Sequence, residues 1–100
     1  MKDLSGMIAV GGTAQILYRW DSVLDKPQRV YIQNLDASET LYVKFGDPAS
    51  LASADVGSIA IPANSLFDSE GFDLQPAGVT SGACSVFAAT AGHKFTAGWC

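Results

Sequence analysis

His93 is the one histidine of this chain, and it limits the chemistry that the sequence can support. A Ser-His-Asp or Cys-His relay needs an imidazole to move the nucleophile's proton, so any such site must converge on His93. A zinc site would have to combine His93 with Cys84, Cys100 and carboxylates. No Cys-x-x-Cys, His-x-x-x-His or His-Glu-x-x-His spacing occurs, so no single turn or helix face brings two ligands together. Between Gly92 and Lys94, at a strand entry, His93 is expected to be a turn histidine satisfied by backbone. Asp68, Glu70 and Asp73 put three carboxylates into six residues. A calcium loop wants oxygen ligands at alternating positions before its glycine and a late glutamate, and this patch has a shorter ladder and no such terminator. It reads as a solvated turn. Asp21 and Asp25 add carboxylates, but nothing in the sequence sets a pair across a cleft as glycoside hydrolysis requires. Gly11-Gly12-Thr13 lacks the lysine of a phosphate loop, and residues 78–82 lack the Gly-x-Gly-x-x-Gly order. Trp20 and Trp99 have the rings to stack on a sugar or a base, but core positions are the first expectation for both. No catalytic, cofactor or metal site is defined, and the chain is expected to be no enzyme and to need no cofactor.

The elements that would hold these residues follow from alternation with period two. Residues 13–20 place Ala14, Ile16, Tyr18 and Trp20 on one face and Gln15, Leu17 and Arg19 on the other, the mark of a half-buried strand. Residues 29–34 set Val30 and Ile32 against Tyr31 and Gln33. Residues 40–45 set Leu41, Val43 and Phe45 against Thr40, Tyr42 and Lys44. The Asn, Asp and Ser of residues 34–39 favour a turn between these two, which predicts an antiparallel hairpin. Shorter strands are expected at 58–61, 65–68 and 71–74, then at 84–90 and 93–99, with Pro62-Ala63-Asn64, Pro76-Ala77-Gly78 and Ala91-Gly92 as punctuation. No stretch carries a helical period. The prediction is all-β: a single small β-sandwich or jelly-roll-like domain of six to eight short antiparallel strands. Residues 1–12 form an N-terminal arm or a first edge strand, and residues 13–100 the sandwich.

Composition agrees with one compact core. The chain has 100 residues, 48% of them apolar and 16% charged, enough for one domain and too few for two. Six Lys and Arg against ten Asp and Glu repel polyanions, so no nucleic-acid partner is expected. The apolar run at residues 7–10 is far shorter than a signal peptide or a membrane span needs, so no membrane is expected and the chain should stay in the cytoplasm of its producing cell. There Cys84 and Cys100 would be reduced, and inert thiols are favoured over a disulfide or reactive chemistry. Edge strands of a sandwich expose unpaired backbone groups that need charges, prolines, bulges or a partner, and only six basic residues serve this chain. With Tyr18, Tyr31, Tyr42 and Lys44 read as outward, the pattern points toward assembly, although a second packed face would also account for them.

Residues 31–46, Tyr-Ile-Gln-Asn-Leu-Asp-Ala-Ser-Glu-Thr-Leu-Tyr-Val-Lys-Phe-Gly, resemble a stretch common in small tailed-bacteriophage virion proteins. There an aliphatic strand ends in Asn, a short polar turn follows, and Glu-Thr-Leu-Tyr-Val-x-Phe-Gly begins the next strand. Residues 85–97 are similar to the close of the same proteins, and with residues 59–66 the likeness spans roughly two-thirds of the chain. Pro62-Ala63-Asn64 stands where that family often carries Pro-Gly, and the patch at 68–73 and Trp99-Cys100 have no counterpart. The resemblance implies a structural protein of the virion, made in the host cytoplasm and seated on the capsid surface as a cement or decoration protein. Its partners would be the major capsid protein and copies of itself, a trimer among the forms. A tail or fibre adaptor, or a receptor- or carbohydrate-binding module stacking a ligand on Trp20, Trp99 or Tyr42, is the alternative. The residues expected at the interface are Met1, Leu4, Met7, Tyr31, Tyr42, Lys44 and Trp99. Residues 1–10 are expected as an arm laid across a neighbouring subunit, so deleting residues 1–6 would weaken particle binding and leave the β fold intact.

Overall fold

The computed structural model describes residues 2–20, 30–46, 51–54, 58–68 and 82–99. Met1, Asp21, Asp25, the strand expected at 71–74, most of the 68–73 patch and Cys100 lie outside the described residues. The described chain is all-β, with eight strands: β1 Lys2–Met7, β2 Gln15–Trp20, β3 Val30–Asn34, β4 Leu41–Gly46, β5 Ile59–Ile61, β6 Leu66–Asp68, β7 Gly82–Phe87 and β8 Lys94–Trp99. They form two four-stranded sheets, in the orders β1-β8-β3-β6 and β2-β7-β4-β5, and every pairing is antiparallel. Except between β4 and β5, each described step along the chain changes sheet, which is the topology of an eight-stranded jelly roll.

Alternation builds the core. In β3, Val30, Ile32 and Asn34 are buried, and in β4 so are Leu41 and Val43. They meet Val86 and Cys84 of β7, Phe95 and Ala97 of β8, and Ile8, which follows β1. The expected hairpin between β3 and β4 is not formed. β3 lies between β8 and β6, β4 lies between β7 and β5, and residues 35–40 cross from one sheet to the other. The turn chemistry is nonetheless the expected one: the Asp36 carboxylate accepts from the backbone N–H of Ser38 and of Glu39, each at 2.8 Å. β2 departs from strict alternation too. Ile16 stands opposite Ser85 and Tyr18 opposite Cys84, so Leu17 is the extra residue of a bulge. Leu17 therefore packs against the core instead of facing out with Arg19.

β1 runs the full length of β8, from Lys2 opposite Trp99 to Met7 opposite Lys94, and is an edge of its sheet. Residues 2–7 thus take the form of a first edge strand, one of the two expected for residues 1–12; removing them would strip β8 of one of its two flanking strands. A glycine stands opposite an aromatic ring in three cross-strand pairs: Gly6 with Phe95, Gly82 with Trp20 and Gly98 with Tyr31. At Gly82 and Gly98 the ring lies in the space a Cβ of the glycine would occupy, and at Gly6 it stands 3.2 Å from that position. The ring covers backbone that the glycine leaves bare.

Candidate functional site

Four connections gather at one end of the sandwich: residues 8–14, 35–40, 62–65 and 88–93. Asn34, fully buried at the end of β3, ties three of them together. Its amide nitrogen donates to the carbonyls of Glu39 at 2.8 Å, Ile61 at 3.0 Å and Pro62 at 3.2 Å. Its Oδ1 accepts from the Asp36 N–H at 3.0 Å and lies 2.7 Å from Nε2 of His93. Three carbonyls around Nδ2 fix which way the amide points, so Oδ1 faces the imidazole and Nε2 must be the donor. The fourth connection joins through backbone: Ile8 N–H donates to His93 O, Gly92 N–H to Ile8 O and Gly12 N–H to Ala88 O. Gly92 reaches Ile8 with φ of 86°, a left-handed conformation that glycine adopts at little cost.

This places the residues with chemical potential. His93 is buried, held by a side chain and not by the backbone acceptor that its position predicts, and its Nδ1 is enclosed without a hydrogen-bond partner among the described residues. Cys84 is a thiol wholly buried in the core. Trp20, only 2% exposed, offers no face for stacking a ligand. Among the described residues no three His, Cys, Asp or Glu side chains are grouped to hold a metal ion. The turn at this end of the fold also shifts the titration of Asp36. The backbone N–H of Ser38, then that of Glu39, hold its carboxyl below the ordinary value of 3.8.

What the fold does expose is apolar area on one outer sheet face. Met7 stands opposite Lys94, and Leu35 continues that row by donating its N–H to Lys94 O. In the next row Thr96 stands opposite Gln33, and Gln33 opposite Leu66. Met7, Leu35 and Leu66 are 56%, 44% and 59% exposed. Between the first two, a shallow depression of about 300 Å³ is lined by Gly6, Met7, Leu35, Lys94 and Phe95. A smaller one of about 190 Å³ lies beside it against Ala9, Val10, Thr13, Ala14 and Gln15, with Val10 exposed. Gln15 shapes that corner by accepting from the Ala9 N–H and donating to Met7 O.

The residues expected at an interface do not form one surface. Met7 and Tyr31 lie on this sheet, with Tyr31 half-buried over Gly98. Leu4 and Trp99 belong to the backbone of β1 and β8. Tyr42 and Lys44 belong to the other sheet, where Tyr42 meets Phe87 edge-on at 6.1 Å. That second face is partly occupied by the chain itself, because the buried Ala52 donates its N–H to the buried Ser85 hydroxyl at 2.9 Å. Leu35 and Leu66 went unread in the sequence. Leu35 sits inside a polar turn, and Leu66 begins a strand of three residues, too short for alternation to assign a face.

Fold and surface together define a small jelly-roll domain with a closed core and an apolar outer patch. Among solved structures it is similar to a crystal structure of PirA, with a TM-score of 0.60 at 15% identity, covering 98% of this chain and 93% of that one. At that identity the likeness is one of fold. No family model and no curated protein matches the chain.

Proposed function

We propose that this chain is a non-enzymatic structural protein of a tailed-phage virion, a cement or decoration protein docking on the capsid lattice through the outer face of the β1-β8-β3-β6 sheet. The observation that carries the docking surface is the exposure of Met7, Leu35 and Leu66 on one sheet face, with Gln33, Thr96 and Lys94 among them. Apolar anchors set among polar groups are the makeup of a protein interface. Covering a half-exposed Leu or Met contributes about 1 kcal/mol, so one site binds weakly, and repetition over a lattice multiplies it. The virion assignment is supported by the resemblance at residues 31–46 and 85–97. Those segments supply β4, most of β3 and β8 and half of β7, the central strands of both sheets.

The test is quantitative mass spectrometry of purified particles, for the wild-type chain and for Leu66→Asp and Leu35→Asp. Copies in a fixed ratio to the major capsid protein, lost in both variants while their circular dichroism stays that of the wild type, are expected. A handful of copies per particle would move the chain to a tail or fibre adaptor, and none would overturn the virion reading.

A further inference from the structure

Among the described residues each sheet has two edge strands, and two of the four are blunted: β5 has three residues, and β2 carries the bulge at Leu17. Shortness and bulges are the devices that keep an edge from recruiting another strand. β1 has neither. It is six residues long, pairs with β8 in unbroken register, and contains no proline. Its charges, Lys2 and Asp3, are adjacent and of opposite sign. Among the described residues only β8 pairs with it.

The backbone bonds at Ile8 fix which groups of β1 are spoken for. Ile8 gives its N–H and its carbonyl to the β7–β8 connection, so by alternation Lys2, Leu4 and Gly6 direct theirs to β8. Asp3, Ser5 and Met7 then direct N–H and C=O away from β8, where the Met7 carbonyl already accepts from the Gln15 side chain at 3.4 Å, a long bond that leaves its second lone pair for a strand partner. This set is self-complementary. A second β1 laid antiparallel with Ser5 opposite Ser5 puts Asp3 opposite Met7 on both sides, and all three residues of each strand exchange N–H···O=C bonds with the other. The small residues Ser5 and Gly6 stand at the centre of such a seam, and no like charges are opposed.

We infer that β1 is a self-association edge: two copies of this chain pair β1 to β1 about a twofold axis through Ser5, joining two four-stranded sheets into one of eight strands. The axis of an antiparallel edge pairing is normal to the sheet, so the two outer faces, each with Met7, Leu35 and Leu66, lie on the same side of the dimer. A closed twofold contact consumes both open edges and leaves none to propagate a fibre. The inference stands on backbone groups of β1 and does not require the docking reading.

The experiment is sedimentation velocity on the full wild-type chain and on Ser5→Pro and Ser5→Lys, over a concentration series up to about 100 μM, in the range where association of micromolar affinity is seen. Proline at 5 removes an N–H that β8 does not use, which an edge strand tolerates. Lysine at 5 sets two like charges opposite each other at the axis. The wild type is expected to be a dimer, and each variant that keeps the wild-type circular dichroism to weaken the dimer by at least about tenfold, the lysine variant less so at high salt. A wild type that stays monomeric throughout overturns the inference. So does a dimer whose affinity Ser5→Lys leaves unchanged, which would assign the contact to another surface and bring a foreign strand or none to β1.

Discussion

Replacing Asn34 by Ala removes one side chain and takes a hydrogen bond from five groups: the carbonyls of Glu39, Ile61 and Pro62, the last of which keeps the Ser65 N–H, the Asp36 N–H and the His93 Nε2–H. The bonds to Ile61 O and to His93 are buried, and an unsatisfied buried group costs about 1–3 kcal/mol. The other three are partly buried and recover most of their loss by bonding water. The sum is about 3–5 kcal/mol, a large share of the roughly 5–15 kcal/mol by which a domain is stable. For a chain of this length it lowers Tm by roughly 15–30 °C. The assay is urea and thermal denaturation followed by circular dichroism. Asn34→Asp, which sets a carboxylate oxygen against three carbonyls, should cost at least as much as Asn34→Ala near neutral pH. His93→Ala should add little in the Asn34→Ala background, because both act on one network. An Asn34→Ala protein within about 1 kcal/mol of wild type, with an unchanged denaturant slope, would refute the reasoning and leave backbone bonds alone to hold this end.

Two further outcomes follow from other parts of the structure. The carboxyl of Asp36 titrates below the ordinary 3.8 in the folded state, so its stabilisation is complete above that pH and is lost as pH falls through the folded value; Tm measured from pH 5 down to pH 2.5 should fall more steeply for wild type than for Asp36→Asn. Gly82→Ala puts a methyl group into the buried Trp20 ring, which has nowhere to go, and should cost about 1–3 kcal/mol, whereas Gly98→Ala meets Tyr31 on an outer face, where the ring can swing away, and should cost under about 1 kcal/mol; chemical denaturation of the pair checks the contrast.

Strand positions were legible in the sequence because a buried face leaves its mark every second residue: Val30 and Ile32, Leu41 and Val43, Cys84 and Val86. Partners were not legible. Alternation records that a face is covered and says nothing of which strand lies beside it, so β3 and β4, six residues apart, read as a hairpin while belonging to different sheets. What separates them is Asn34, whose partners at Ile61, Pro62 and His93 lie 27, 28 and 59 positions away, and no local pattern reports such distances. The bulge at Leu17 was hidden for a related reason, since one extra residue reverses the faces of a strand without changing its composition. The apolar patch escaped because its members come singly from three segments, and only the register of β1, β8, β3 and β6 sets them side by side.

The pairing of the first strand with the last also governs how the chain reaches its fold. β1 has its neighbour in β8 and β2 in β7, so once residues 2–20 are made they wait for nearly the whole domain before a ladder can close on them. Such sequence-distant pairing is slow, in the range of milliseconds to seconds for domains of this kind. Until residues 94–99 arrive, β1 presents both of its edges to whatever strands are near. Synthesis is therefore the interval in which this chain is most exposed to mispairing with other copies of itself.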